Sequence, residues 1–204
     1  MRVTIFDYGA GNLHSLAKAL DAADVDVRIE PDPIHAVDTD VLVLPGVGAF
    51  GAAAARLAPG REAMRNAIAA GLPTLGICLG MQLLLDDSEE GAGAGLGVIA
   101  GRVTRLEAQR IPQIGWNTVA PVAGEPLFAR APVPMAYYAN SYVCRPSAID
   151  VVSAWSEHEG DRFPAAVRAG RAVGVQFHPE KSSADGVRFL RAFLDDARTK
   201  GPIK

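Results

Sequence analysis

Cysteine is nearly absent from these 204 residues: only Cys78 and Cys144 are present. At most one disulfide could form, which excludes the stapled framework of a small secreted domain. Histidine is almost as sparse. His14, His35, His158 and His178 are scattered, and with the two cysteines they make no metal-ligand spacing. An excess of one charge is also missing. Twenty basic and 23 acidic side chains give a net charge of −3, with no footprint for nucleic acid or an anionic membrane. No apolar run approaches the roughly 20 residues needed to span a bilayer. The opening Met1–Phe6 has a strand pattern that Asp7 interrupts, unlike a signal peptide. These absences lead to the expectation of a soluble cytoplasmic protein with neither metal nor cofactor.

What is present is a composition that is 49% hydrophobic, enough for a sizeable core, arranged in an alternating pattern. Strand patterns at Arg2–Phe6, Val25–Ile29, Val41–Leu44 and Thr74–Ile77 alternate with helix patterns at Asn12–Ala23, Ala52–Ala70 and Gly80–Leu85. Pro59-Gly60 interrupts the second helix. Val41–Leu44 is apolar throughout, as a strand buried on both faces requires. This alternation predicts a parallel, doubly wound α/β sheet. After Glu90 the pattern changes. A glycine-rich stretch, Gly91 to Gly97, reads as flexible. It is followed by short β patterns at Val98–Leu106, Ile114–Val119, Met135–Val143, Val151–Trp155, Ala165–Val167 and Ala172–Gln176. An amphipathic helix, Ala184–Ala197, closes the chain, and Lys200–Lys204 reads as a frayed tail. With no linker to divide it, one domain over residues 1–204 is expected.

The sharpest local signal is Gly76-Ile77-Cys78-Leu79-Gly80, a strand turning into a helix around a cysteine. Taken alone, a cysteine is more often packed as a small hydrophobe. Here the flanking glycines remove the Cβ atoms that would clash in a strained nucleophile elbow. The helix that starts beside Cys78 brings N–H groups and positive dipole to the sulfur, which favours the reactive thiolate. Cys144 has no such setting and reads as packing. The second signal is Gln176-Phe177-His178-Pro179-Glu180, where a strand ends at His178 and Pro179 stops the ladder. A turn there would bring Glu180 to the imidazole, fixing its tautomer. His178 would then take the Cys78 proton and return it to a leaving group. His14, His35 and His158 read as surface or packing residues. A third segment, Leu44-Pro45-Gly46-Val47-Gly48-Ala49-Phe50, is a loop at a strand end, where open α/β sheets bind ligands. Viewed alone it reads as an ordinary Pro-Gly turn; beside the elbow, backbone N–H groups of Val47 or Gly48, with that of Leu79, could form an oxyanion hole.

The Gly-Ile-Cys-Leu-Gly-Met-Gln elbow at 76–82, followed by Gln-Phe-His-Pro-Glu at 176–180, resembles the class I, or triad, glutamine amidotransferases. Asp7–Leu13, Pro45–Phe50, Ile114–Asn117 and Phe177–Ser182 are similar in particular to the glutaminase subunits of imidazole glycerol phosphate synthases. The likeness runs from Met1 to Ala197. It implies a flavodoxin-like three-layer sandwich, with a mostly parallel central sheet and an additional antiparallel β region. It also implies a glutaminase in which Cys78 forms a γ-glutamyl thioester and His178 and Glu180 complete the triad. Gly48, Gln82, Glu90, Ser141 and Tyr142 would hold glutamine. Asn12, Trp116 and Lys181 would face a (β/α)8-barrel cyclase subunit, in a heterodimer that serves histidine biosynthesis. Two segments depart from the family pattern. Gln113-Ile114 stands where His-Met is usual before Gly-Trp-Asn, and Asn140 stands where His often precedes Ser-Tyr. The same motifs are compatible with a glutaminase serving another synthase. They would also fit a γ-glutamyl peptidase, or a binding subunit that has lost catalysis.

Overall fold

The computed structural model describes residues 1–9, 13–21 and 25–199. Asn12, both ends of the expected Asn12–Ala23 helix and Lys200–Lys204 lie outside the described residues. In chain order the strands are β1 (Arg2–Phe6), β2 (Asp26–Glu30), β3 (Val41–Leu44), β4 (Thr74–Ile77), β5 (Asp87–Ser88), β6 (Gly101–Arg105) and β7 (Gln113–Thr118). They continue with β8 (Ala120–Pro121), β9 (Met135–Asn140), β10 (Tyr142–Pro146), β11 (Val152–His158), β12 (Asp161–Ala169) and β13 (Ala172–Val175). The helices are α1 (Leu13–Leu20), α2 (Phe50–Leu57), α3 (Arg61–Ala69), α4 (Leu79–Gln82), α5 (Pro126–Arg130) and α6 (Ser183–Thr199). No described helix is long and apolar enough to cross a membrane.

An eight-stranded sheet in the order β2-β1-β3-β4-β13-β12-β11-β8 forms the centre. The first five strands run parallel, in the order of a doubly wound flavodoxin-like sheet. β12, β11 and β8 extend it antiparallel. Apolar side chains alternate between the two faces with the period of two that a pleated strand imposes. Val3, Ile5, Val41 and Val43 join Leu16 and Leu20 of α1 and Phe189, Leu190 and Phe193 of α6 in one core. Phe6, Leu42 and Leu44 join Phe50 and Leu57 of α2 and Met64 and Ile68 of α3 in the other. Two apolar layers with a sheet between them make the expected three-layer sandwich. Outside it lie a small sheet, β10-β6-β5, and a two-stranded ribbon, β7-β9.

Several elements differ from the sequence-based expectation. The expected helix Gly80–Leu85 is a single turn, because its carbonyls are taken by a later segment. Leu96 donates to the Leu83 carbonyl at 2.7 Å, Val98 to that of Leu84 at 2.9 Å and Gly97 to that of Leu85 at 3.1 Å. The Gly91–Gly97 stretch is therefore a strap against the core, with Leu96 buried. Its glycines allow close approach: a Cβ on Gly95 would overlap the Leu85 carbonyl oxygen. The run expected over Met135–Val143 breaks at Ser141 into β9 and β10, which belong to different sheets.

Candidate active site

Three neighbouring parallel strands deliver the site from their carboxyl ends. β3 runs into the loop at 45–49, β4 into Cys78, and β13 into Gln176 and His178. β4 and β13 pair in parallel with Ile77 opposite Val175, and the Cys78 N–H donates to the Val175 carbonyl at 2.7 Å. This adjacency brings residue 78 beside residues about 100 positions further along the chain.

Cys78 stands at φ +48°, ψ −103°, immediately before α4. L-residues rarely adopt a positive φ, so this is the strained elbow expected from the flanking glycines. Those glycines are sterically required. A Cβ on Gly76 would lie 2.6 Å from the Gly80 carbonyl oxygen, and one on Gly80 would overlap the Leu44 carbonyl oxygen. The first N–H groups of a helix have no acceptor within that helix, so those of Leu79 and its successors are available to an anion.

His178 is buried and its ring is held in place. The His178 backbone N–H donates to the Tyr137 carbonyl at 2.8 Å, and its backbone carbonyl accepts from Ser182 Oγ at 2.7 Å. Ser182 Oγ in turn accepts from the Tyr137 N–H at 2.9 Å. A 3₁₀ turn over Pro179–Lys181 then folds Glu180 back, so that His178 Nδ1 and Glu180 Oε1 lie 2.9 Å apart. Burial disfavours the imidazolium, but hydrogen bonds to Cys78 and Glu180, and their negative charge, outweigh it. The His178 pKa is raised from 6.5 to about 9. Such a ring can keep a thiolate as its counter-ion and hold a proton for a departing amine.

A cavity of about 250 Å³ opens over these groups. Cys78, His178, Gly46, Val47, Gly48 and Leu79 line it, as do Gln82, Glu90, Ser141 and Tyr142. Every residue expected for glutamine binding or the oxyanion hole is thus on one wall or another of a single cavity. Gly46 must be glycine, because a Cβ there would lie 2.9 Å from His178 Cε1. Glu90 is tied to the start of α2, where the loop after β3 ends: its Oε2 accepts from the Phe50 N–H at 2.8 Å. Gln82 Nε2 donates to the Tyr142 carbonyl at 3.1 Å.

Lys181 lines the cavity and Trp116 does not; neither belongs to the Cys78–His178–Glu180 cluster. Trp116 is half exposed on β7, edge-on to Tyr137 at 6.5 Å, and Lys181 Nζ sits 5.9 Å from the same ring. Cys144 is buried in β10, and burial pushes its thiol well above the ordinary range. His14 and His35 are exposed, and His158 Nε2 lies 2.9 Å from the Arg110 carbonyl oxygen. Two groups beside Cys78 were not singled out from sequence. Tyr8 is buried, and burial, with charge at Cys78 and Asp7, pushes its phenol well above 10.0. Gln176 is fully buried, with its Nε2 3.4 Å from Cys78 Sγ. Gln176 lies two residues before His178, hence on the same side of an extended chain, and that periodicity was the available signal.

A family model described as glutamine amidotransferase class-I matches residues 4–197. The chain belongs to this family. Class-I relatives of similar length include the imidazole glycerol phosphate synthase subunit HisH of Symbiobacterium thermophilum, 46% identical, with 93% of this chain and 91% of that protein covered. The subunit of the same name from Halobacterium salinarum is 43% identical, with 95% and 92% covered. Among solved structures, the glutaminase domain of Trypanosoma brucei CTPS with bound acivicin superposes with a TM-score of 0.71. Identity there is 17%, and coverage is 99% of this chain and 95% of that one. At that identity the likeness concerns the fold, and it is the class-I amidotransferase fold.

Proposed function

We propose that the chain is the glutaminase subunit of an imidazole glycerol phosphate synthase, with Cys78, His178 and Glu180 as its catalytic triad. The observation that carries this reading is the meeting of Cys78, on its elbow, with His178 in one cavity, Glu180 being bonded to the far nitrogen of that imidazole. The full-length similarity to HisH subunits supplies the context.

In this reading Gln82, Glu90, Gly48 and the backbone at Ser141 and Tyr142 hold glutamine with its side-chain amide above the sulfur. The Cys78 thiolate attacks the amide carbonyl carbon. Negative charge moves to the oxygen, where N–H groups of Val47, Gly48 and Leu79 would receive it. The His178 imidazolium gives its proton to the leaving nitrogen, the carbon–nitrogen bond breaks, and ammonia and a γ-glutamyl thioester remain. Water, deprotonated by His178, cleaves the thioester, releases glutamate and restores the thiolate. Glu180 keeps the ring in the correct tautomer throughout.

The synthase partner is a (β/α)8-barrel cyclase subunit, which combines the ammonia with phosphoribulosyl formimino-AICAR phosphate to give imidazole glycerol phosphate and AICAR. The β7–β9 ribbon suits the docking role. Ile114 and Met135 are exposed on it beside Trp116, while Ala139 and Asn140 of β9 line the cavity. One strand thus joins the docking face to the site. Cys78→Ala tests the assignment. In the complex, glutamine-dependent synthesis should vanish while added ammonium salt still supports product formation. Persistent glutamine-dependent turnover would remove Cys78 from the mechanism. Failure of the barrel subunit and its nucleotide ligand to raise glutaminase turnover would remove the pathway assignment.

A further inference from the structure

Gln176 directly follows β13 with no solvent exposure, and its backbone N–H is bonded across to the Ala165 carbonyl at 2.9 Å. Its side-chain amide is committed at both ends. Nε2 donates to Cys78 Sγ at 3.4 Å, and Oε1 accepts from Gln82 Nε2 at 3.4 Å. Gln82 Nε2 also donates to the Tyr142 carbonyl, which accepts in addition from Asn140 Nδ2 at 3.2 Å. A continuous amide chain therefore runs from the sulfur, through Gln176 and Gln82, to the wall of the cavity at Tyr142 and Asn140.

A neutral thiol is a weak acceptor, whereas a thiolate is a strong one. A buried amide N–H aimed at sulfur is therefore worth far more when the sulfur is charged. We propose that Gln176 works in the glutaminase reaction as an electrostatic partner of the Cys78 thiolate and as the tether that holds Gln82 in register with it. The proposal rests on the glutaminase reading above and adds a residue to it. The N–H of Gln176 and the ring of His178 together offer two donors to one sulfur. The charge they stabilise disappears when the thioester forms and returns when water cleaves it. Gln176 therefore acts at the second step too, by stabilising the thiolate as a leaving group. The same amide, through its oxygen, fixes the side chain proposed to grip the substrate. Nucleophile and substrate grip share one part.

Gln176→Glu and Gln176→Leu separate the two arms. Glutamate keeps an acceptor for Gln82 but presents a carboxylate, not an N–H, to the sulfur. Leucine removes both arms. The first readout is the pH dependence of Cys78 alkylation by iodoacetamide in the isolated chain, followed on the Cys78 peptide by mass spectrometry. The midpoint should rise in both variants, more in the glutamate. A rise of about one pH unit corresponds to roughly a tenfold loss of thiolate well below the midpoint. The second readout is glutaminase kinetics with the partner subunit. The glutamate variant should lose kcat with little change in KM, and the leucine variant should lose kcat and gain KM. Gln82→Leu serves as a variant outside the buried strand end, to be used if neither substitution at 176 folds. It should raise KM and, by releasing Gln176, also shift the alkylation midpoint. Folded variants with unchanged midpoints and unchanged kinetic constants would overturn the proposal. A wild-type protein without glutaminase activity, whose alkylation midpoint still responds to the variants, would instead strike at the glutaminase reading.

Discussion

At His178 burial and hydrogen bonding oppose one another, and the outcome sets the pH range in which the site can work. Desolvation favours the neutral ring, yet contacts with Cys78 and Glu180 raise the pKa to about 9 from 6.5. A raised value means the ring keeps its proton through neutrality and loses it only as pH climbs through about 9. Glutaminase turnover should therefore fall on the alkaline side near that value. Glu180→Gln removes the partner's charge, so the ring pKa should drop toward 6.5 and carry the alkaline limb with it. Turnover at neutral pH should fall by roughly a hundredfold or more, as expected when general acid–base catalysis is impaired. Imidazole NMR titration together with a pH–rate profile tests this. An alkaline limb that stays in place would remove Glu180 from its role. The residues of the proposed triad were legible because glycine and proline flank them and leave a mark on the chain. Gln176 carried no such mark beyond its two-residue spacing from His178, which places it on one side of the chain without giving it a role. An amide becomes informative only when its neighbours are known, and its neighbours, Cys78 and Gln82, lie more than 90 positions away.

The elbow is an element-scale device: the single turn of α4 can sit against the end of β3 only because residue 80 has no side chain. Gly80→Ala should force those backbones apart and lower unfolding free energy by about 1–3 kcal/mol, the usual cost of overpacking. Urea titration would register it as a lower midpoint with an unchanged slope. The parallel strands were readable in advance because burial on both faces leaves continuous apolar runs such as Val41–Leu44. α4 was not readable to its end, because Leu83–Leu85 continue a helical apolar pattern while Leu96–Val98 take their carbonyls. That competition is tertiary. α5 escaped for a related reason. Five residues starting at Pro126 make too short a period to detect, and its first turn depends on Glu125, which accepts from the Phe128 N–H and pairs with Arg168 on distant β12.

For the molecule as a whole, the doubly wound half supplies the strand ends and the antiparallel additions supply the outer wall and the ribbon. The exposed side chains of that ribbon give a prediction about assembly. If the proposed barrel subunit docks on it, Trp116→Ala should weaken that association by about 2 kcal/mol, the threshold of an interface hot spot. The melting temperature of the isolated chain should stay the same, since the indole is half exposed. Titration calorimetry and a thermal melt separate these effects, and equal affinity for both proteins would place the docking face elsewhere. The backbone at Cys78 also has a consequence for the whole chain. A positive φ at a residue with a side chain raises the energy of the folded state by roughly 1–3 kcal/mol. Cys78→Gly relaxes that geometry, so the inactive protein should melt at a higher temperature than the active one. Selection for heat tolerance and selection for turnover therefore pull residue 78 in opposite directions. A lineage freed from making ammonia should drift toward glycine at this one position while keeping the rest of the fold.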